Sequence, residues 1–385
     1  MRRATAALLA LGVAGVALTV LVLMRHGEEP RPPATAPTPA EPRLLVGFFD
    51  DASFRWRPYR ADALDQVQGT GARIVRVLIR WHLTAPVRPR AGRPPFRVPM
   101  LYEIDELVAN ASARGMTVLF SIWGTPSWAN RGRGPNYSPS DPDDLRRFAR
   151  GLAYRYPTVQ RYAVWNEPNT EQFLAPQFDA DGHSVAPLAY ARLYRAAYDG
   201  IKEANPQALV AIGETSSHGR DAPSRGRVQD SHSPARFARL LAAERPRLEF
   251  DAWGHHPYPV KGDHAPDRVS YWPSVTMSSL DRFGRELDRW FDRPETPMWI
   301  TEYAYEATPA EPYGVAPALQ ATFAARALDL AAAHERVRLF VWFTFRDDHT
   351  NAWQSGLLDE RGRHRPAYAQ FAAAIGRVGA LTPGG

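Results

Sequence analysis

Three short stretches hold most of the side chains that could do chemistry. "WNEPN" (165–169) sets an amide, Asn166, beside a carboxylate, Glu167. "WGHHPY" (253–258) supplies His255, His256 and Tyr258, and "WITEYAY" (299–305) supplies Glu302. Cleaving a glycosidic bond needs two flanking carboxyls, one protonated and one ionised, with aromatic faces for the apolar sides of the sugar rings. An Asn-Glu-Pro alone is also an ordinary polar turn at the end of a strand. Its place in the fold has to decide.

Adjacent histidines invite a metal reading, but no third ligand follows at metal spacing. No metal or other cofactor is expected. The chain has no cysteine, which excludes a disulfide framework, a thiol nucleophile and thiolate metal sites.

Eight β-rich runs can position these groups: 44–50, 74–81, 117–123, 161–167, 209–214, 250–256, 298–303 and 339–345. Longer helical patterns separate them, and alternation of this kind points to βα units and a parallel sheet. Asp141-Pro142-Asp143-Asp144 offers an N-cap, a first-turn proline and first-turn acids. Pro187 opens a helix with Tyr190, Tyr194, Ala197 and Ile201 on one face, which Asn205-Pro206 stops. Pro317 and Pro366 begin the last two helices, which are predicted to run to about His334 and Ile375. A doubly wound sheet would carry a glycine-rich turn after its first strand; here that strand ends in Phe48-Phe49-Asp50-Asp51. The prediction is therefore an α/β chain forming a single (β/α)8 TIM barrel over residues 44–385, with its site where the strands end.

The strand ends bring together Asp50, Arg76, Arg80, Trp123, Asn166, Glu167, Glu214, His256, Tyr258, Glu302 and Trp342. Glu167 ends strand 4 and Glu302 ends strand 7, facing each other across the mouth of a closed barrel. Arg76 and Arg80 share strand parity and compete for one role. Trp299 alternates against Glu302 and is expected to pack under the helices. Trp165 is expected beneath the site as packing, and Glu214 is read as a rim or structural acid.

These motifs, with "IVRVLIRW" on strand 2, "GTPSW" (124–128) and "VWFTFRDD" (341–348), resemble those of the clan A glycoside hydrolases. The likeness runs over 44–378 and is nearest the cellulase-type families and the family of β-xylosidases and α-L-iduronidases. It implies a retaining glycosidase that cleaves O-glycosidic bonds in a poly- or oligosaccharide by double displacement. Glu167 would be the acid/base and Glu302 the nucleophile. Asn166 would bind the sugar 2-hydroxyl, Arg76 would hold the nucleophile ionised, and Trp123, His256 and Tyr258 would contact substrate. Trp342 would floor the subsite. A catalytically inactive carbohydrate-binding barrel and a transglycosylase are the alternatives. The β-sandwich usual in the xylosidases has no counterpart here, and the loops at 216–234 and 257–276 leave the choice of sugar open.

The remaining signals concern location. The net charge is +6, without a Lys/Arg block long enough for a nucleic-acid footprint, so no nucleic-acid partner is expected. A monomeric catalytic domain is expected. Residues 1–3 are a basic n-region, and the uncharged run 4–24 is long enough for the ~30 Å hydrocarbon core. It lacks a small-x-small cleavage site and is read as a signal anchor, the alternative being a cleaved signal peptide and secretion. The Pro-rich stretch 25–43 then tethers the barrel outside the cytoplasm.

Overall fold

The computed structural model describes residues 42–380, apart from 91, 225 and 227. The expected anchor (4–24) and most of the tether lie outside the described residues. Among those described, no helix is long and apolar enough to cross a membrane.

All eight strands close into one parallel barrel in sequence order. They are β1 (Leu45–Phe49), β2 (Ile74–Arg80), β3 (Thr117–Trp123), β4 (Arg161–Val164), β5 (Leu209–Ser216), β6 (Ala252–His256), β7 (Met298–Tyr303) and β8 (Val337–Phe343). The helices are α1 (Arg60–Gly69), α2 (Trp81–Thr84), α3 (Tyr102–Ala113), α4 (Pro142–Arg155), α5 (Ala186–Ala204), α6 (Pro234–Ala242), α7 (Leu280–Phe291), α8 (Pro317–Ala333) and α9 (Pro366–Ala380). One long helix follows each strand, and α2 is a single extra turn after β2. The predicted strands all form, with ends displaced by at most three residues.

Local chemistry accounts for the helix starts. Asp141 accepts the Asp143 N–H at 3.0 Å, with Pro142 at the first helical position of α4. Ser233 caps α6 by accepting from Arg236 N at 3.4 Å, followed by Pro234. Each proline sits where a missing N–H costs nothing.

Strand alternation divides the core in two. Val46, Phe48, Val75, Val77, Phe340 and Trp342 point outward into the layer beneath the helices. Leu45, Phe49, Ile74, Leu78, Leu119, Ala163, Leu339 and Val341 fill the barrel interior. Toward the strand C-termini that interior turns polar, through Arg76, Ser121, Glu214, Thr301 and His256, all fully buried. Buried polar groups persist only when paired. This polar layer supports the site.

Candidate active site

Arg76 is the centre of the polar layer. It shares the inward parity of Ile74 and Leu78 on β2, so a fully buried guanidinium stands in the barrel axis. Its five N–H groups each meet an acceptor. Nε donates to Ser121 Oγ (2.8 Å), one Nη to Thr301 O (3.1 Å) and Glu302 Oε2 (2.7 Å), and the other to Asn166 Oδ1 (2.8 Å) and Glu214 Oε2 (3.5 Å). The bond to Asn166 fixes that amide with its oxygen inward, leaving its NH2 on the cleft side.

Glu302 reaches the cleft because β7 is irregular. Ile300 pairs with Phe340 and Tyr303 with Trp342, so three steps on β7 span two on β8. A bulge of this kind puts consecutive residues on the same side. Thr301 donates its hydroxyl inward to Glu214 Oε2 (2.9 Å), while Glu302 remains 14% exposed against Arg76. Tyr258 donates its hydroxyl to the other Glu302 oxygen, Oε1, at 2.9 Å. Burial, with the Glu302 charge beside it, raises the Tyr258 phenol well above its ordinary range, so it remains a donor.

Glu167 sits in a strained turn. Trp165 and Glu167 both have positive φ, 76° and 38°, a conformation uncommon for non-glycine residues that clusters at active sites. The Glu167 N–H donates to the Glu214 carbonyl at 2.8 Å. Its Oε1 lies 3.0 Å from His256 Nδ1. Burial alone would push the His256 imidazole down, but the Glu302 charge and contacts with Glu167 and Glu214 outweigh it and raise it to about 9. His255, one residue earlier, points the other way. It sits between Thr215 Oγ1 (2.9 Å) and Val275 O (3.1 Å), and burial lowers it to about 3. Its neighbour carries a proton at neutral pH; His255 does not.

These groups open into a cleft of about 970 Å³ lined by Asn166, Glu167, Tyr258 and Glu302, with Arg80 at its edge. Arg80 stacks over Trp56 (5.3 Å), so of the two competing arginines it is Arg76 that meets Glu302. Trp342 does not floor the cleft. It points outward on β8, is fully buried, packs on Phe371 of α9 (5.5 Å) and donates its indole N–H to Ser355 O (3.1 Å). The next residue, Phe343, has the inward parity and lines the cleft instead, stacked on Phe49 at 5.0 Å. Trp353, from the loop after β8, and Trp56 add further aromatic faces. Trp123 is half-buried behind the lining, edge-on to Phe173, with its N–H on the Phe173 carbonyl (3.2 Å).

Trp299 also departs from expectation. It packs inside the barrel because parity counted back from Glu302 fails across the β7 bulge. Trp165 is buried among the barrel–helix core, its N–H on Phe173 O at 2.7 Å. Glu214 is fully buried beneath the glutamates rather than at the rim. Among the described residues, the side chains that converge with metal-like spacing are Asp179, Asp181 and His183, all exposed and none of them in the cleft lining.

A model of the cellulase family, glycosyl hydrolase family 5, matches residues 47–342. Sequence comparison with curated proteins finds no match. Among solved structures, GH5_18 from Streptomyces cattleya in complex with GlcNAc is similar at 19% identity and TM-score 0.63, covering 90% of this chain and 82% of that one. A family 39 glycoside hydrolase from the gut symbiont Bacteroides cellulosilyticus WH2 aligns at 18% identity and TM-score 0.61, over 89% of this chain and only 64% of that one. A monomeric β-xylosidase from Caulobacter crescentus CB15 aligns at 18% identity and TM-score 0.57, over 86% and 68%. At these identities the likeness is one of fold. The family match, by contrast, runs from β1 into β8 and takes in both glutamates, and the chain belongs to glycosyl hydrolase family 5, a clan A family of glycosidases.

Proposed function

We propose that this barrel is a retaining glycosidase that cleaves a poly- or oligosaccharide by double displacement. The observation that carries the reading is the unequal setting of two equal side chains. Glu302 accepts from a guanidinium and a phenol, which suits an ionised nucleophile. Glu167 faces His256, a group able to hold a proton.

In the first step a Glu302 oxygen attacks the anomeric carbon. The glycosidic C–O bond breaks, and the Glu167 proton passes to the leaving oxygen. In the second step water gives a proton to Glu167, attacks the same carbon, and releases Glu302 as carboxylate. The Asn166 NH2 is placed to donate to the hydroxyl beside the reacting carbon. Phe343 and Trp353 offer the ring faces on which sugar C–H surfaces stack.

Retention requires the two carboxyls to stand roughly 5–5.5 Å apart. The apolar run at 4–24 and the Pro-rich stretch after it support an activity outside the cytoplasm, held at a membrane. The test is the configuration of the first product, followed by proton NMR before mutarotation. A product that keeps the substrate's anomeric configuration supports the proposal, and the opposite anomer rules out the double displacement.

A further inference from the structure

Glu214 is a carboxylate buried under the site for which the two-step reaction has no use. Its position is built deliberately. Gly213 pairs with Gly254 and Thr215 with His255, so β5 carries one extra residue, Glu214, whose φ is +48°. The bulge turns its side chain into the barrel axis. Across the pair, Gly254 makes the room: a Cβ there would stand 1.7 Å from Glu214 Oε1.

From that position Glu214 touches Glu167 and the residues that flank Glu302. Its backbone carbonyl holds the Glu167 N–H. Its Oε2 accepts from Thr301 on the nucleophile's strand and lies 3.5 Å from Arg76 and 3.6 Å from His256 Nε2. Its Oε1 has no hydrogen-bond partner among the described residues. His256 is thus a buried imidazole between two carboxylates, Glu167 at Nδ1 and Glu214 at Nε2. The other charged or titratable groups around it are Glu302 with its partners Arg76 and Tyr258, and the neutral His255.

We propose that Glu214 is a positioning residue that keeps a proton on the His256–Glu167 pair, and that this is the proton the leaving group takes. Imidazolium beside carboxylate and imidazole beside carboxylic acid contain the same proton, shifted along one 3.0 Å contact. The two groups therefore share one proton. The Nδ1 proton shifts onto Glu167, which passes it to the leaving oxygen, and the pair is left as neutral imidazole beside carboxylate. When Glu302 becomes an ester, one negative charge facing His256 disappears. The imidazole then has less hold on a new proton, so the Glu167 carboxylate stays free to accept one from water in the second step. The direction fits the His256 imidazole being raised to about 9 with Glu302 the strongest of the charges raising it. This inference rests on the proposed roles of Glu167 and Glu302.

The experiment measures the pH profile of Glu214→Gln against wild type on two glycosides, one with an alcohol and one with an acidic phenol as leaving group. Removing a negative charge beside His256 lowers the proton affinity of the pair. The basic limb with the alcohol substrate should move to lower pH by roughly one unit or more. The loss with the phenol substrate, which needs little protonation, should be smaller and nearly independent of pH. Equal losses on both substrates with an unmoved limb would leave Glu214 a structural acid and overturn the proposal.

Nitrogen NMR of His256 in the wild-type protein keeps the question open to refutation if the variant does not fold. Between the ordinary histidine value and about 9 the pair should hold a proton, on both ring nitrogens or on Glu167, and a neutral ring beside an ionised Glu167 carboxylate, read from the carboxyl carbon, would contradict the proposal. If Glu167→Gln and Glu302→Gln keep their distinct leaving-group behaviour while Glu214→Gln fails this test, only the present inference falls. If that behaviour is absent, the assignment of the pair itself is wrong.

Discussion

Glu302 and Glu167 are the same side chain on one rim of the barrel, yet almost nothing around them is alike. Glu302 leaves a bulged strand and is clamped from two sides, by Arg76 at 2.7 Å and Tyr258 at 2.9 Å. Glu167 follows a strand that stops early, in backbone of positive φ, and its side-chain partner is His256 at 3.0 Å. Permanent or firmly protonated donors surround the first. A titrating group faces the second. In the proposed reaction it is the surroundings, rather than the carboxyl itself, that divide the labour into nucleophile and acid/base.

The harshest way to break the comparison is to remove the guanidinium that ties Glu302 to Asn166. Arg76→Met leaves the acceptors on Ser121, Thr301, Asn166, Glu214 and Glu302 without their donor. Breaking a buried ion pair from one side costs about 3–5 kcal/mol, so denaturant unfolding should register a loss of that order, together with loss of activity. A variant as stable as wild type would mean the polar layer does not depend on Arg76.

A smaller cut touches only the Glu302 side. Tyr258→Phe deletes one hydrogen bond to a charged group, a contact of about 1.5–3 kcal/mol. Turnover should fall roughly 10- to 100-fold with every leaving group, because the nucleophile is needed for each. A loss confined to poor leaving groups would assign Tyr258 to the acid/base side instead.

The smallest effect sharpens the Glu167 side. The folded His256 imidazole, raised to about 9, lies above the unfolded value of ~6.5. Its contribution to stability is therefore fully present below about pH 6.5 and lost as pH rises through about 9. The melting temperature should decline across that window. Glu302→Gln should move the decline to lower pH, because it removes the strongest charge holding the imidazole up. An unchanged decline would show that Glu302 and His256 are not linked.

What the sequence reveals and what it hides follow from the same geometry. Alternating strand and helix patterns are local, so all eight strands are readable, and so are the helix starts at Pro142, Pro317 and Pro366. Glu167 and Glu302 are picked out in the sequence because each lies at the end of a strand of the rank the resemblance expects. A bulge adds one residue without leaving any periodic trace. That is why Trp299 is misplaced by counting back from Glu302, and why the buried position of Glu214 is invisible beforehand. Trp342 and Phe343 are adjacent aromatics on opposite faces of β8; the resemblance favours the tryptophan, while the barrel turns the phenylalanine to the cleft. Trp56 and Trp353 come from irregular segments, where no period tells a side chain which way to face.

The most direct measurement of the division of labour is pre-steady-state phenol release from an acidic aryl glycoside by Glu302→Gln and Glu167→Gln. Glu302→Gln cannot form the covalent intermediate and should release almost no phenol, a loss of roughly 10⁴–10⁶-fold on any substrate. Glu167→Gln should still be glycosylated by this substrate, which needs little acid, and should then stall without a base. It should give a burst followed by slow turnover, while an alcohol glycoside loses roughly 10²–10⁴-fold. A burst from Glu302→Gln with silence from Glu167→Gln would reverse the roles, and wild-type behaviour from both would place the catalytic pair elsewhere.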